Sequence, residues 1–308
     1  MLTRKKQRHT PDVLRGPLLL LILLLIPLYG EAMSEGIIRG IRLCATTIVP
    51  SVFPFMVLSS MMIGYSVFDK MDFLSRPFER LFHVNKNGLP AFLCGTLCGF
   101  PLGAKCAAEA YGHGYLSKDE CERLICFSSN ASPAFLICGV GAMRGSTLEG
   151  VLLYMVMIFS AIVIGVLSGR RHTTHTVQVH CHSHNFSFTD TVERAGIGTL
   201  YVCSYLLLFS ALIGILQKFV LKSALLSAFL LPLLEIGSAT AFLSTAKIPP
   251  FLCRALTAFA VSFGGLSVHL QAAGLLRGTD ISMKKYYAFK TLQGMLSFFI
   301  IFVLELIK

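Results

Sequence analysis

Four apolar segments of this chain are each broken in the middle by Gly, Pro or a carboxylate, and they fall into two pairs of nearly equal spacing. The first pair is Phe92-Leu93-Cys94-Gly95-Thr96-Leu97-Cys98-Gly99-Phe100-Pro101-Leu102-Gly103-Ala104-Lys105 followed by Phe127-Ser128-Ser129-Asn130-Ala131-Ser132-Pro133. The second is residues 228–238, interrupted at Pro232, Glu235 and Gly237, followed by residues 261–271, interrupted at Gly264 and Gly265. Gly103 to Ser129 is 26 residues and Gly237 to Ser262 is 25, as in a diverged duplication. Inside hydrocarbon a chain must satisfy its own backbone polar groups. Non-helical backbone therefore survives there only when buried in protein or lining a wet cavity. Paired interruptions in corresponding halves of a membrane protein point to a binding site near the midplane.

Composition supplies the membrane. With 54% hydrophobic residues, 14% charged residues and a mean hydropathy of +0.69, the chain is too apolar for a soluble domain with a polar coat. Its charges gather between long apolar runs, and Trp is absent, so Tyr and Phe are left to mark the interfaces. The net charge of +11 does not mark a nucleic-acid surface, because the 27 Lys and Arg residues form no aromatic-interleaved basic face. Cys94, Cys98, Cys106, Cys126, Cys138, Cys203 and Cys253 lie in apolar or hairpin segments and read as free thiols packing as small hydrophobes. Cys94 and Cys98 share a helical face but have no His or carboxylate with them, so no metal site is expected there. The loop bearing His172, His175, His180, Cys181, His182 and His184 lacks a Cys-x-x-Cys pair and reads as a solvated linker. No nucleophile-base pair, Walker loop or dinucleotide fingerprint occurs, so neither enzyme chemistry nor a cofactor is expected.

Arg4, Lys5, Lys6 and Arg8 precede an apolar run at 18–28, which reads as an uncleaved first span because no small-x-small cleavage site follows. Residues 41–68 form a span kinked at Pro50 and Pro54. Residues 88–111 form the first broken hairpin, and 116–123 a charged link in which Ser117 and Glu120 fit a capping box. Residues 124–143 make an interrupted span and 148–167 a continuous one, and a loop at 170–193 separates the halves. Span 197–219, broken hairpin 224–245, interrupted span 251–276 and span 286–307 complete the chain. The expected fold is an all-α polytopic membrane protein with about seven spans plus two re-entrant broken hairpins in inverted repeats. Its divisions are 1–35, a basic segment and first span; 36–169, the first repeat; 170–193, the His-rich cytoplasmic linker; and 194–308, the second repeat. With the amino terminus cytoplasmic, eighteen of the 27 Lys and Arg residues, from Arg4 to Lys290, fall on that side. Eight fall opposite and Lys105 lies within the first hairpin, in keeping with the positive-inside rule.

Broken helix ends expose amides and partial positive charge at half-helix N-termini, suited to an anionic solute group. Ser129, Asn130 and Ser132 are N-cap residue types ahead of Pro133, itself favoured at a first helical position. Gly99, Pro101 and Gly103 would shape the first tip. Lys105 either pairs with Glu109, four residues on, or faces the cavity and attracts an anion. Glu235, at the second tip, reads as a polar anchor or proton carrier. Ser262, Ser267, His269 and Gln271 would complete the site, while Arg254 and Lys247 are expected to snorkel to an interface.

The phrases Val49-Pro50-Ser51-Val52-Phe53-Pro54-Phe55, Cys98-Gly99-Phe100-Pro101-Leu102-Gly103-Ala104-Lys105, Glu122-Arg123-Leu124 with Phe127-Ser128-Ser129-Asn130-Ala131-Ser132-Pro133, and Phe263-Gly264-Gly265-Leu266-Ser267-Val268-His269-Leu270-Gln271 carry a family resemblance. They resemble the sporulation integral membrane proteins with the nucleoside-recognition, or Gate, domain, from about Gly36 to the carboxyl terminus. That family is distantly similar to concentrative nucleoside transporters. Its dipicolinate-exporter type is implicated in moving dipicolinic acid across the outer forespore membrane during endospore formation. The resemblance implies two Gate-like repeats in a bacterial cell membrane and transport by alternating access. It also implies a small aromatic dicarboxylate as substrate, with lipid rather than nucleic acid as surroundings. Two other readings stand beside it. One is nucleoside or nucleobase transport, with Asn130, Glu235 and Gln271 as neutral hydrogen-bonders; the other is a non-transporting membrane scaffold in spore assembly, which needs no hydrated cavity.

Overall fold

The structure is a computed structural model that describes residues 27–64, 72–169, 187–219 and 221–307, and no strand occurs among them. Nearly all of the expected first span, and the His-rich linker up to residue 186, lie outside the described residues. Helix α1 (Gly30–Leu43) continues through a π-helical turn, Cys44–Ile48, into α2 (Val49–Gly64). The widened turn falls just before Pro50, which has no N–H to offer the turn preceding it. Pro54 stays inside α2.

After α3 (Asp72–Phe82), the first interrupted pair begins with α4 (Leu89–Leu97) and α5 (Leu102–Gly112), which pack on each other. Helix α6 (Lys118–Ser128) follows, then a gap, a π-helical stretch Ala134–Val140 and a last turn Gly141–Met143. Helix α7 (Thr147–Gly169) closes this half. The chain continues with α8 (Phe188–Phe219), α9 (Ala224–Leu234), α10 (Ile236–Thr245), α11 (Pro250–Phe263), α12 (Gly265–Leu275) and α13 (Lys284–Ile307).

Two boundaries differ from expectation. The charged link at 116–123 is mostly the first turns of α6, because the Ser117–Glu120 capping box forms and starts the helix at Lys118. The linker ends early, since α8 starts at Phe188 rather than after Glu193. Four described segments are long and apolar enough to cross a bilayer: Thr147–Gly169, Phe188–Phe219, Pro250–Leu275 and Lys284–Ile307. Their outward residues are large and apolar, among them Met155, Phe159, Leu200, Leu208 and Phe299, as a surface bathed in lipid requires. The nine described cysteines are reduced, and all except Cys138 are buried, in line with their apolar sequence surroundings.

Helices α11 and α13 run antiparallel, tied near their middle by a hydroxyl chain. Ser262 donates to Ser297 at 2.7 Å, Ser297 to Ser160 of α7 at 2.9 Å, and Ser160 to its own helix at the Val156 carbonyl. An aromatic cluster of Phe78, Phe82, Phe92 and Phe127 joins α3, α4 and α6, with Phe82 and Phe127 stacked at 4.7 Å. Ion pairs close both ends. At the start of α13, Lys285 reaches Asp119 at 3.1 Å and Glu122 at 3.8 Å, beside Arg123, which pairs with Asp119 at 3.0 Å. At its far end Glu305 binds Arg254 at 2.9 Å, and Arg254 also reaches Glu149, the partner of Arg144. Arg254 is thus held by two carboxylates rather than snorkelling, whereas Lys247 is exposed as expected. Lys285 and Glu305 are separated by about 30 Å of helix at ~1.5 Å per residue, the thickness of a hydrocarbon core.

Between α12 and α13 the Tyr111 hydroxyl, at 2.7 Å, and the Lys118 ammonium, at 3.1 Å, hold the Asp280 carboxyl below its ordinary range. A depressed value means that the contribution to stability is present above the ordinary carboxylate pKa and is lost as the pH falls through the lowered one. Asp280→Asn is therefore expected to cause a small fall in melting temperature at neutral pH, which disappears when both proteins are melted in acid.

Candidate functional site

Three of the four interruptions line one cavity, and the fourth sends the helix that follows it into the wall. Cys98, Gly99 and Phe100 reach it from the gap between α4 and α5, and Ala131, Ser132 and Phe135 from the gap after α6. Glu235 and Ile236 enter from the α9–α10 junction, and Ser267, Val268 and Gln271 from α12. Ile48 at the end of the π-helical turn and Val52 of α2, with Val202 and Leu206 of α8, supply an apolar wall. The space among these residues, open mouth included, is about 560 Å³.

The first tip is set by close backbone contact. Gly95 of α4 and Gly103 of α5 face the Ser128 carbonyl at the end of α6, and a Cβ on them would lie 1.6 and 2.1 Å from that oxygen. Gly103 therefore brings three helices together and is not part of the cavity wall. Pro101 is buried at the N-cap of α5, also outside the wall, while Gly99 lines it. At the fourth interruption Gly264 and Gly265 have φ of 93° and 77°, a region that L side chains rarely adopt, and this turn aims the first turns of α12 at the cavity.

Two of the half-helix N-termini here are capped from within. Glu235, 2% exposed, accepts from the amides of Gly237 at 2.7 Å and Ser238 at 2.6 Å. It anchors α10 and satisfies the amides that an anion would otherwise meet. Ser132 accepts from the Phe135 amide at 3.1 Å in the same manner. The N-termini of α5 and α12 carry no side-chain cap, and the first turn of α12 lines the cavity through Ser267 and Val268, so its partial positive charge is available there. Gln271 donates to Ser267 at 3.3 Å, and with Ser132 these are the neutral polar groups of the wall.

The other expected residues lie elsewhere. Lys105 sits 4.0 Å from Glu109 and does not line the cavity. Ser262 is engaged in the hydroxyl chain with Ser297. His269 is buried behind the wall, its Nδ1 3.1 Å from the Tyr286 hydroxyl and its ring edge-on to Phe263. Asn130 donates to the Phe127 carbonyl at 2.8 Å and accepts from Gln293 at 2.9 Å. Ser129 offers its carbonyl to Lys290 at 2.6 Å.

That last partner escaped sequence reasoning, which counted Lys290 among the cytoplasmic cations. Lys290 is wholly buried on α13, donates also to Gln293 at 2.7 Å, and lies 5.2 Å from the centre of the Phe100 ring in the cavity wall. Its signal was present as a polar stripe: Lys290, Gln293 and Ser297 recur at helical spacing on an otherwise apolar segment, and all three are buried. The described residues include no group of three or more His, Cys, Asp or Glu side chains able to hold a metal ion.

No family model matches the chain. No solved structure matches it either. Among curated proteins it is similar to the sporulation integral membrane protein YlbJ of Bacillus subtilis (strain 168). The two are 25% identical over 310 aligned residues, covering 86% of this chain and 76% of that relative. Taken with its apolar helices, this similarity over most of its length makes the chain an integral membrane protein related in sequence to one of sporulation.

Proposed function

We propose that this chain is a transporter of a small heterocyclic or anionic solute, dipicolinic acid first among candidates, in the outer forespore membrane of a sporulating bacterium. The observation that carries the reading is the meeting of all four interrupted segments at one cavity. A scaffold gains nothing from breaking four helices at membrane depth, where each break needs its backbone groups satisfied again. In this reading the two halves are inverted Gate-like repeats of about seven spans, α4–α5 and α9–α10 are re-entrant hairpins, and the site opens alternately to each side. Solute moves without covalent chemistry. The name of the similar Bacillus protein supplies the sporulation setting.

Two features bear on the solute. The uncapped N-terminus of α12 at the cavity suits a carboxylate, which supports an anionic solute such as a dicarboxylate. The neutral lining of Ser132, Ser267 and Gln271 supports an uncharged heterocycle of the nucleoside or nucleobase kind. Labelled dipicolinate uptake into proteoliposomes, with uridine as competitor, separates them. Saturable dipicolinate flux is expected, falling about tenfold in Gln271→Ala for loss of one solute hydrogen bond worth ~1.4 kcal/mol. Lys105→Ala is expected to transport like wild type. Uridine flux without dipicolinate flux would assign the nucleoside reading, and no flux of either by folded, inserted protein would favour the scaffold.

A further inference from the structure

Lys290 is a fully buried cation with no carboxylate bonded to it among the described residues. Its two hydrogen bonds go to the Ser129 carbonyl, inside the interruption after α6, and to the Gln293 side chain. Toward the cavity it meets the face of Phe100, 5.2 Å away. The ammonium thus links three things: the broken backbone, the last helix and a ring of the cavity wall. The titratable groups near enough to feel its charge are Cys126 on α6 and His269 on α12. Tyr286, one turn earlier on α13, is bonded to His269. From α7 and α11 the polar groups bonded to this stretch of α13 are the Ser160 and Ser262 hydroxyls and the Met157 carbonyl, which accepts from Gln293.

Ionisable groups at such depth mark ion and proton pathways. Glu235, the other ionisable group at the cavity, has both carboxylate oxygens committed to α10. The end of α6 and the interruption after it also carry two buried hydroxyls, Ser128 and Ser129, with no hydrogen-bond partner among the described residues, so water admitted there meets polar groups that can bind it.

From this placement, and resting on the transporter reading, we infer that Lys290 carries a proton that crosses the membrane with each transport cycle, in the place where a metal ion would otherwise couple movement to a gradient. When the site opens, an N–H bond of the ammonium breaks and its proton passes to water. The neutral amine keeps two N–H groups for Ser129 and Gln293 and gains a lone pair. Its electrostatic hold on the Phe100 ring is then lost, so the cavity wall senses the protonation state. Water on the opposite side returns one proton to the amine, and one proton has crossed per cycle.

The test has two arms on the purified protein in lipid. In nanodiscs, lysine labelled with 15N at Nζ is followed by NMR from mildly acid to mildly alkaline pH, with Lys290→Gln, or Lys290→Met if that variant fails to fold, to assign the signal. In proteoliposomes, the ratio of accumulation driven by a pH gradient to gradient-free exchange is measured for dipicolinate and uridine, with and without a sodium gradient. The Lys290 signal is expected to titrate, the wild-type ratio to exceed unity without sodium, and the variant ratio to fall to unity. A Lys290 signal that stays fixed across the range, a variant that accumulates like wild type, or accumulation driven by sodium alone would overturn the inference. A titrating lysine in a protein that moves neither solute would overturn the transport reading, and co-transport with it, while identifying a proton-binding lysine.

Discussion

Gly95→Ala is expected to leave little folded protein in the membrane. The new methyl would sit 1.6 Å from the Ser128 carbonyl oxygen, 2.7 Å from its carbon and 2.8 Å from the Gly103 Cα, all of them backbone atoms. A crowded side chain can rotate away, but backbone can yield only if α4, α5 and α6 separate, and they form one packed group. The cost is about 4 kcal/mol or more, at the extreme of single substitutions. The same displacement moves Ser129, the next residue, off Lys290. Gly112→Ala is the control, since a Cβ there meets nothing within 4 Å and should change stability by less than ~0.5 kcal/mol. Yield of monodisperse protein in detergent and the melting temperature of what survives are the measurements. A Gly95→Ala protein that melts like wild type would refute the three-helix contact.

Glu235→Ala should be nearly as damaging. Its carboxylate holds two amides at the start of α10, and alanine would leave both without that partner, Gly237's buried and Ser238's half-buried. Each orphaned donor costs about 1–2 kcal/mol, so a total of ~2–4 kcal/mol is expected. Glu235→Gln keeps one acceptor oxygen and should fall between alanine and wild type in melting temperature and in solute flux. A glutamine variant equal to wild type in both would show that one oxygen suffices. An alanine variant equal to wild type would show that the cap carries no weight.

Much of this architecture was readable because membrane depth makes backbone breaks costly. A Gly-Gly or a Gly-Phe-Pro has little place in an apolar run unless it marks a break, and two of the four breaks stand at those residues, whereas Pro232 stays inside α9 and the second hairpin breaks at Glu235 alone. The Ser117–Glu120 capping box was equally visible, since reciprocal caps depend on residues three apart. What stayed hidden depends on long-range packing. Lys290 follows the charged pair Lys284 and Lys285 closely enough to look like part of a cytoplasmic helix end, and its burial rests on Ser129, 161 positions away. Glu235 is not among the usual N-cap residue types, so its cap on α10 gave no local sign. The apolar walls from Val52 and Leu206 look like any lipid-facing stretch until the helices are assembled. Lys105, by contrast, is accounted for by its own helix, where Glu109 lies one turn on.

The chain has no Trp, so a single one placed in the cavity wall becomes the sole indole fluorophore. Phe135→Trp puts it beside Ser132, with Phe159→Trp, on the exposed outer side of α7, as reference. If the meeting point of the four interrupted segments binds the transported solute, adding that solute will change the emission of the cavity-wall indole saturably, at the concentration that half-saturates flux, and leave the reference indole unchanged. Saturable flux with no change at the cavity position, or equal changes at both positions, would contradict it.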